Sequence, residues 1–210
     1  MAVLEKPVII GRSSSHFTRI ARIFAAELRA EPSFQVVRDL LSTDPGDYGG
    51  NPALRIPVLK TSRGVWFGAL NASREMWRQS SPRLRVVWPE DLDTPLLANM
   101  QELTLQAMAT EVTLVMEKMA GAGEGTTHAR KLRESLLNMM AWLEQNANAA
   151  LAALPPERDV SYLEVTLFCL VTHLEFRDVL PVQPYAALNQ FRQQFEQRPS
   201  ANETRYRFDT

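Results

Sequence analysis

The chain has 210 residues, 45% of them hydrophobic and 22% charged, which suffices for one large core or two small ones. Its net charge of -1 offers no basic field for nucleic acid or anionic lipid, and its single cysteine, Cys169, excludes a disulfide framework and a Cys-rich zinc site. The stretch from Met1 to Pro7 lacks the apolar run of a signal peptide, and the nearly uncharged run Val165 to Leu174 is too short to cross a bilayer, so a cytoplasmic, soluble protein with no membrane partner is expected.

Pro7-Val8-Ile9-Ile10-Gly11 reads as a short buried strand, β-branched and ended by glycine. Arg12-Ser13-Ser14-Ser15-His16 is a polar turn. Phe17, Ile20, Ile23, Phe24 and Leu28 then recur at helical spacing, with Ser14 or Ser15 as the natural N-cap. Phe34 to Asp39 is the next strand, so the opening is a strand-helix-strand unit with a parallel pair. Asp44 to Pro52 is loop chemistry. Ile56 to Thr61 and Val65 to Gly68 form a hairpin around Ser62-Arg63-Gly64. Pro57 cannot donate to a sheet ladder and must open its strand, lie at an edge or sit in a bulge. Asn71 to Gln79 reads as a helix with Met76 inward.

Ser80-Ser81-Pro82 marks the boundary. Beyond it the period is 3.6 throughout. Leu97, Met100, Thr104, Met108, Val112, Val115 and Met119 form one stripe, ended at Gly121-Ala-Gly-Glu-Gly. Leu132 to Leu154 carries a second stripe, ended by Pro155-Pro156. Ser161-Tyr-Leu-Glu164 is a capping box ahead of a helix that is apolar on nearly all sides and therefore central. A last helix spans Tyr185 to Gln197, with Ala201 to Thr210 as a polar tail. The expected division is an α/β domain over 1–80, a linker over 81–89 and an all-α domain over 90–210.

These parts, over essentially the whole chain, resemble the cytosolic glutathione transferases: a thioredoxin-like N-terminal half (βαβ-ββα) followed by a helical half. Ser15-His16-Phe17-Thr18-Arg19 resembles the Ser-Pro-x-x-Arg stretch of bacterial and theta- or zeta-like serine members. Asn51-Pro52-Ala53-Leu54-Arg55-Ile56-Pro57-Val58-Leu59 resembles the segment whose proline is cis in the family. Asn71-Ala72 falls where the family's Glu-Ser-x-Ala-Ile motif continues, and Ser161-x-x-Glu164 matches the capping box of its central helix. The chain departs from the family at Ala69-Leu70, which replace Glu-Ser, the pair that holds the γ-glutamyl carboxylate.

The resemblance implies glutathione as co-substrate, no metal, a small hydrophobic electrophile as second substrate and a homodimer. Conjugation needs a thiolate. A serine hydroxyl aimed at the sulfur from a helix N-terminus would stabilise it. Ser15 is assigned that role by motif, with Ser14 next and Ser13 behind. Ile56, Pro57, Leu70 and Asn71 are the expected glutathione contacts, and Met108 and Glu111 the expected second-substrate pocket. Arg19 and Arg55 read as solvated surface residues, the alternative being contacts to the carboxylates of glutathione. His16, His128 and His173 are scattered without carboxylate partners at metal-ligand spacing, and Cys169 reads as packing. The missing Glu-Ser pair motivates a rival, a transferase-fold binding or interaction module without catalysis. A third reading, glutathione-dependent isomerisation or dehalogenation, would use the same site.

Overall fold

The computed structural model describes residues 6–81, 83–119, 121 and 126–209. The start of the chain, Pro82 and the glycine-rich stop after Gly121 therefore lie, wholly or in part, outside the described residues. The chain forms two compact units, Met1–Leu84 with Glu196–Thr210, and Arg85–Phe195.

The first unit runs β1 (Val8–Gly11), α1 (His16–Glu27), β2 (Ser33–Val36), a tight helical turn at Pro45–Tyr48, β3 (Val58–Thr61), β4 (Gly64–Phe67) and α2 (Ala69–Gln79). The sheet order is β2-β1-β3-β4, with β1 parallel to β2 and antiparallel to β3. Both faces of β1 are covered, so consecutive residues Ile9 and Ile10 are both buried. Ile10 packs with Val58, Val37 and Tyr48 on one face. Ile9 pairs across with Leu59 on the other.

Several boundaries differ from the sequence expectation, and three of them bear on the sheet and the helix that follows it. β2 stops at Val36, although the Val37 N–H still reaches the Gly11 carbonyl at 2.9 Å. β3 begins at Val58 rather than Ile56, because Pro57 has no N–H to place in the ladder. The helix expected from Asn71 starts at Ala69, immediately after Gly68, whose φ of 84° suits glycine.

The second unit contains α3 (Pro95–Met119), α4 (Thr127–Ala153), α5 (Tyr162–Phe176) and α6 (Ala186–Phe195), with β5 (Val86–Val87) and β6 (Val160–Ser161) as a short parallel pair. α5 is the central helix, and every residue from Val165 to Val171 is buried. Its N-terminus carries the expected box: Ser161 Oγ accepts from Glu164 N at 3.0 Å, and the Glu164 carboxylate accepts from Ser161 N at 3.1 Å.

The tail expected after α6 is instead a short helix, α7 (Pro199–Glu203), and a segment without regular structure that fold with the first unit. Arg198 bonds both Glu27 oxygens of α1 at 2.7 and 2.8 Å, and Ser200, Ala201 and Thr204 are buried.

Candidate functional site

The register gathers three pieces at one end of the four-stranded sheet. Ile10 pairs with Val58, and Val58 with Phe67. The turn leaving β1, the loop entering β3 and the turn from β4 into α2 therefore lie side by side.

The first piece is the serine turn. Gly11 is required there by close approach: a Cβ at this position would stand 2.5 Å from both Cγ2 and Oγ1 of Thr18. Ser15 is the N-cap of α1, its hydroxyl accepting from Thr18 N at 3.2 Å. Ser14 is half-buried. Ser13 is only 1% exposed, and its hydroxyl finds no hydrogen-bond partner among the described residues. The serine ranked last from sequence is thus the one with an uncommitted hydroxyl. Burial of a hydroxyl is a tertiary property that the run of three serines does not encode.

The second piece is the prolyl loop. The Ile56–Pro57 bond is cis. Asn51, 4% exposed, holds the loop from inside: its Nδ2 donates to the Arg55 carbonyl at 2.7 Å and its Oδ1 accepts from Ala53 N at 3.0 Å. Pro57 is buried, Ile56 half-buried and Arg55 exposed. The third piece is the start of α2, which has no side-chain cap. Leu70 and Asn71 sit in its first turn. The Asn71 side chain turns back to donate to the Phe67 carbonyl at 3.0 Å, so it does not reinforce the helix end.

Arg19 is not the solvated residue expected. It is 4% exposed, donates to the Ala201 carbonyl at 3.0 Å, and lies 4.3 Å from the Tyr206 ring centroid. Beyond Tyr206, the Asp209 carboxylate accepts from Ser13 N at 2.7 Å. Sequence gave no sign of this contact across 196 positions. Pro199, at the first turn of α7, was the one local cue that the tail was helical.

In the second unit, Met108 and Glu111 are fully buried on α3. Glu111 Oε1 meets His173 Nδ1 of α5 at 2.7 Å, which corrects the expectation that the histidines lack carboxylate partners. Cys169 is buried in α5.

No protein-family model and no curated protein matches the sequence. Solved structures match its fold. One is a glutathione transferase family member from Pseudomonas fluorescens Pf-5 with bound glutathione, 20% identical, with a TM-score of 0.77 over 96% of this chain and 99% of that one. Another is a glutathione S-transferase from Methylobacillus flagellatus KT with glutathione bound, 18% identical, TM-score 0.74, covering 96% and 100%. A third, from Methylobacterium radiotolerans in complex with glutathione sulfonate, is 19% identical, TM-score 0.72, covering 97% of each chain. The fold is that of the glutathione transferases: a thioredoxin-like sheet unit and a helical unit.

Proposed function

We propose that the protein is a glutathione transferase, conjugating the glutathione thiolate to a small hydrophobic electrophile. The observation that carries this reading is the serine turn at the start of α1, set beside the prolyl loop in a fold shared along nearly the whole chain with glutathione-bound proteins. A thiol of pKa about 8.5 is mostly protonated at neutral pH. A hydroxyl at the positive end of α1 lowers that pKa by donating to the sulfur. The thiolate then attacks an electrophilic carbon, a C–S bond forms, and the leaving group departs with the displaced electron pair.

Ser15 keeps the role the motif gives it, with Ser14 as its neighbour. Ser15 can accept from Thr18 N while its own proton points at a sulfur, so capping and catalysis are compatible. Ile56 and Pro57 would meet the cysteinyl part. The uncapped first turn of α2, at Leu70 and Asn71, would take the γ-glutamyl carboxylate on its free amides. Met108 and Glu111 on α3 stay assigned to the electrophile's surroundings. The sheet unit would be the glutathione-binding domain, the assembly a homodimer and the compartment the cytoplasm.

Calorimetric titration with glutathione, run alongside Ser15→Ala and a generic electrophile assay, tests this. Saturable binding at up to low-millimolar affinity, with conjugation reduced at least tenfold in Ser15→Ala, is expected. No saturable binding at millimolar glutathione would overturn it and leave a transferase fold without glutathione chemistry.

A further inference from the structure

The serine turn and the helix that follows it contain buried polar atoms without a partner among the described residues. Ser13 Oγ, Arg12 Nε and Arg22 Nη1 are all buried and find no partner among the described residues. Arg19 lies on the same helix, three residues before Arg22 and so on the same face, and Arg207 adds a further charge: burial first, then Arg207 and Arg19, lower the Arg22 pKa, while Asp209 acts the other way. Unpartnered buried donors beside a helix N-terminus favour an anion. One anion is already there, the Asp209 carboxylate, bonded to Ser13 N at 2.7 Å.

We propose that the serine turn is an anion seat whose internal occupant is Asp209, so that the segment following α7 is a competitor an anionic ligand must displace. The attachment of that segment is graded in the way a displaceable strap requires. Its base is firm: Arg198 grips Glu27, and Arg19 takes the Ala201 carbonyl. Its tip is less firmly built. Residues 205–209 have no regular structure, Phe208 is 63% exposed, the Tyr206 ring lies 4.3 Å from the Arg19 guanidinium, and the Asp209 carboxylate accepts from Ser13 N. The tip can lift while the base holds. The ligand class is a small anion or the anionic end of a larger molecule; glutathione is such a ligand if the proposed function holds.

The test uses the full chain, isotope-labelled, with the Ser13 amide resonance followed by NMR. Wild type, Asp209→Asn and Asp209→Ala are each titrated with inorganic sulfate and, separately, with glutathione. The expected result is that sulfate shifts the Ser13 amide in Asp209→Ala at roughly ten- to a hundredfold lower concentration than in wild type, the range of a hydrogen bond to a charged group. Asp209→Asn should fall between, since it keeps an acceptor and loses the charge. Equal sulfate affinity in all three overturns the proposal, as does a wild-type Ser13 amide that exchanges as fast as an exposed one. Glutathione that binds all three equally, with sulfate discriminating, overturns competition with that ligand alone. Failure of glutathione to bind any form overturns the proposed function and leaves the anion seat judged by sulfate. Asp209 sits on a segment without regular structure, and thermal melts of the variants verify that the fold is kept.

Discussion

Arg158 holds both oxygens of the Glu164 carboxylate, Nε on one at 2.8 Å and Nη2 on the other at 2.6 Å, and the same carboxylate caps α5 through Ser161. Burial alone would raise the Glu164 pKa; the hydrogen bonds from Arg158 and Ser161, with the Arg158 charge, outweigh it and hold the carboxyl below its ordinary value. Sequence supplied the cap but not the clamp, which joins a loop arginine to the first turn of the central helix.

A depressed folded-state pKa stabilises the protein fully above the unfolded value, about 4.3, and that contribution is lost as pH falls through the folded value. Glu164→Gln should therefore cost about 1–3 kcal/mol at pH 7. In urea melts the gap between wild type and variant should close as pH is lowered below about 4. A gap that is constant from neutral to acid pH would show that the clamp does not act through its charge.

The two end serines of the turn separate capping from an uncommitted hydroxyl. Ser15→Ala removes the α1 cap and should cost about 1 kcal/mol in thermal or chemical melts. Ser13→Ala removes a buried hydroxyl with no partner among the described residues and should be neutral or stabilising by up to about 1 kcal/mol. Conjugation assays on the same pair assign the chemistry: loss of activity in Ser13→Ala at unchanged stability would move the thiolate partner from Ser15 to Ser13.

Gly11→Ala drives a methyl group to 2.5 Å from the Thr18 side chain. The expected cost is about 1–3 kcal/mol, as for other overpacked sites. Thr18→Ala in the same chain should recover part of that loss, because it removes both clashing atoms. A double variant no more stable than Gly11→Ala would mean the strain is taken up by the backbone.

The Glu111–His173 pair joins α3 to α5 in the helical core. His173→Leu leaves a buried carboxylate without that partner and should cost about 3–5 kcal/mol. Glu111→Met combined with His173→Leu should cost less than the single His173 change, since packing replaces a desolvated pair. Melts of the two proteins decide it.

The elements were legible because period and punctuation are local: Gly11, the serine cap, the hairpin turn and the Ser161 box each act within a few residues. The pairing of Glu111 with His173 was not, since nothing on α3 marks which residue of α5 it faces. Arg19 looked like a solvated charge because its acceptor, the Ala201 carbonyl, is a backbone atom that any residue could have supplied. Ala69-Leu70 in place of Glu-Ser was read from sequence; the structure puts both residues in the first turn of α2, whose N-cap, Gly68, has no side chain to offer.

The first unit is discontinuous in the chain, and this sets an order for its completion during synthesis. Arg19 waits for Ala201 across 182 positions, and Glu27 for Arg198 across 171. A nascent chain that has delivered β1 through α2 therefore holds a buried-to-be guanidinium and carboxylate in water while the whole helical unit is translated. The sheet unit can collapse early, but it reaches its final stability only when the segment from Arg198 leaves the ribosome, so a stretch made after the helical unit acts on a helix made before it.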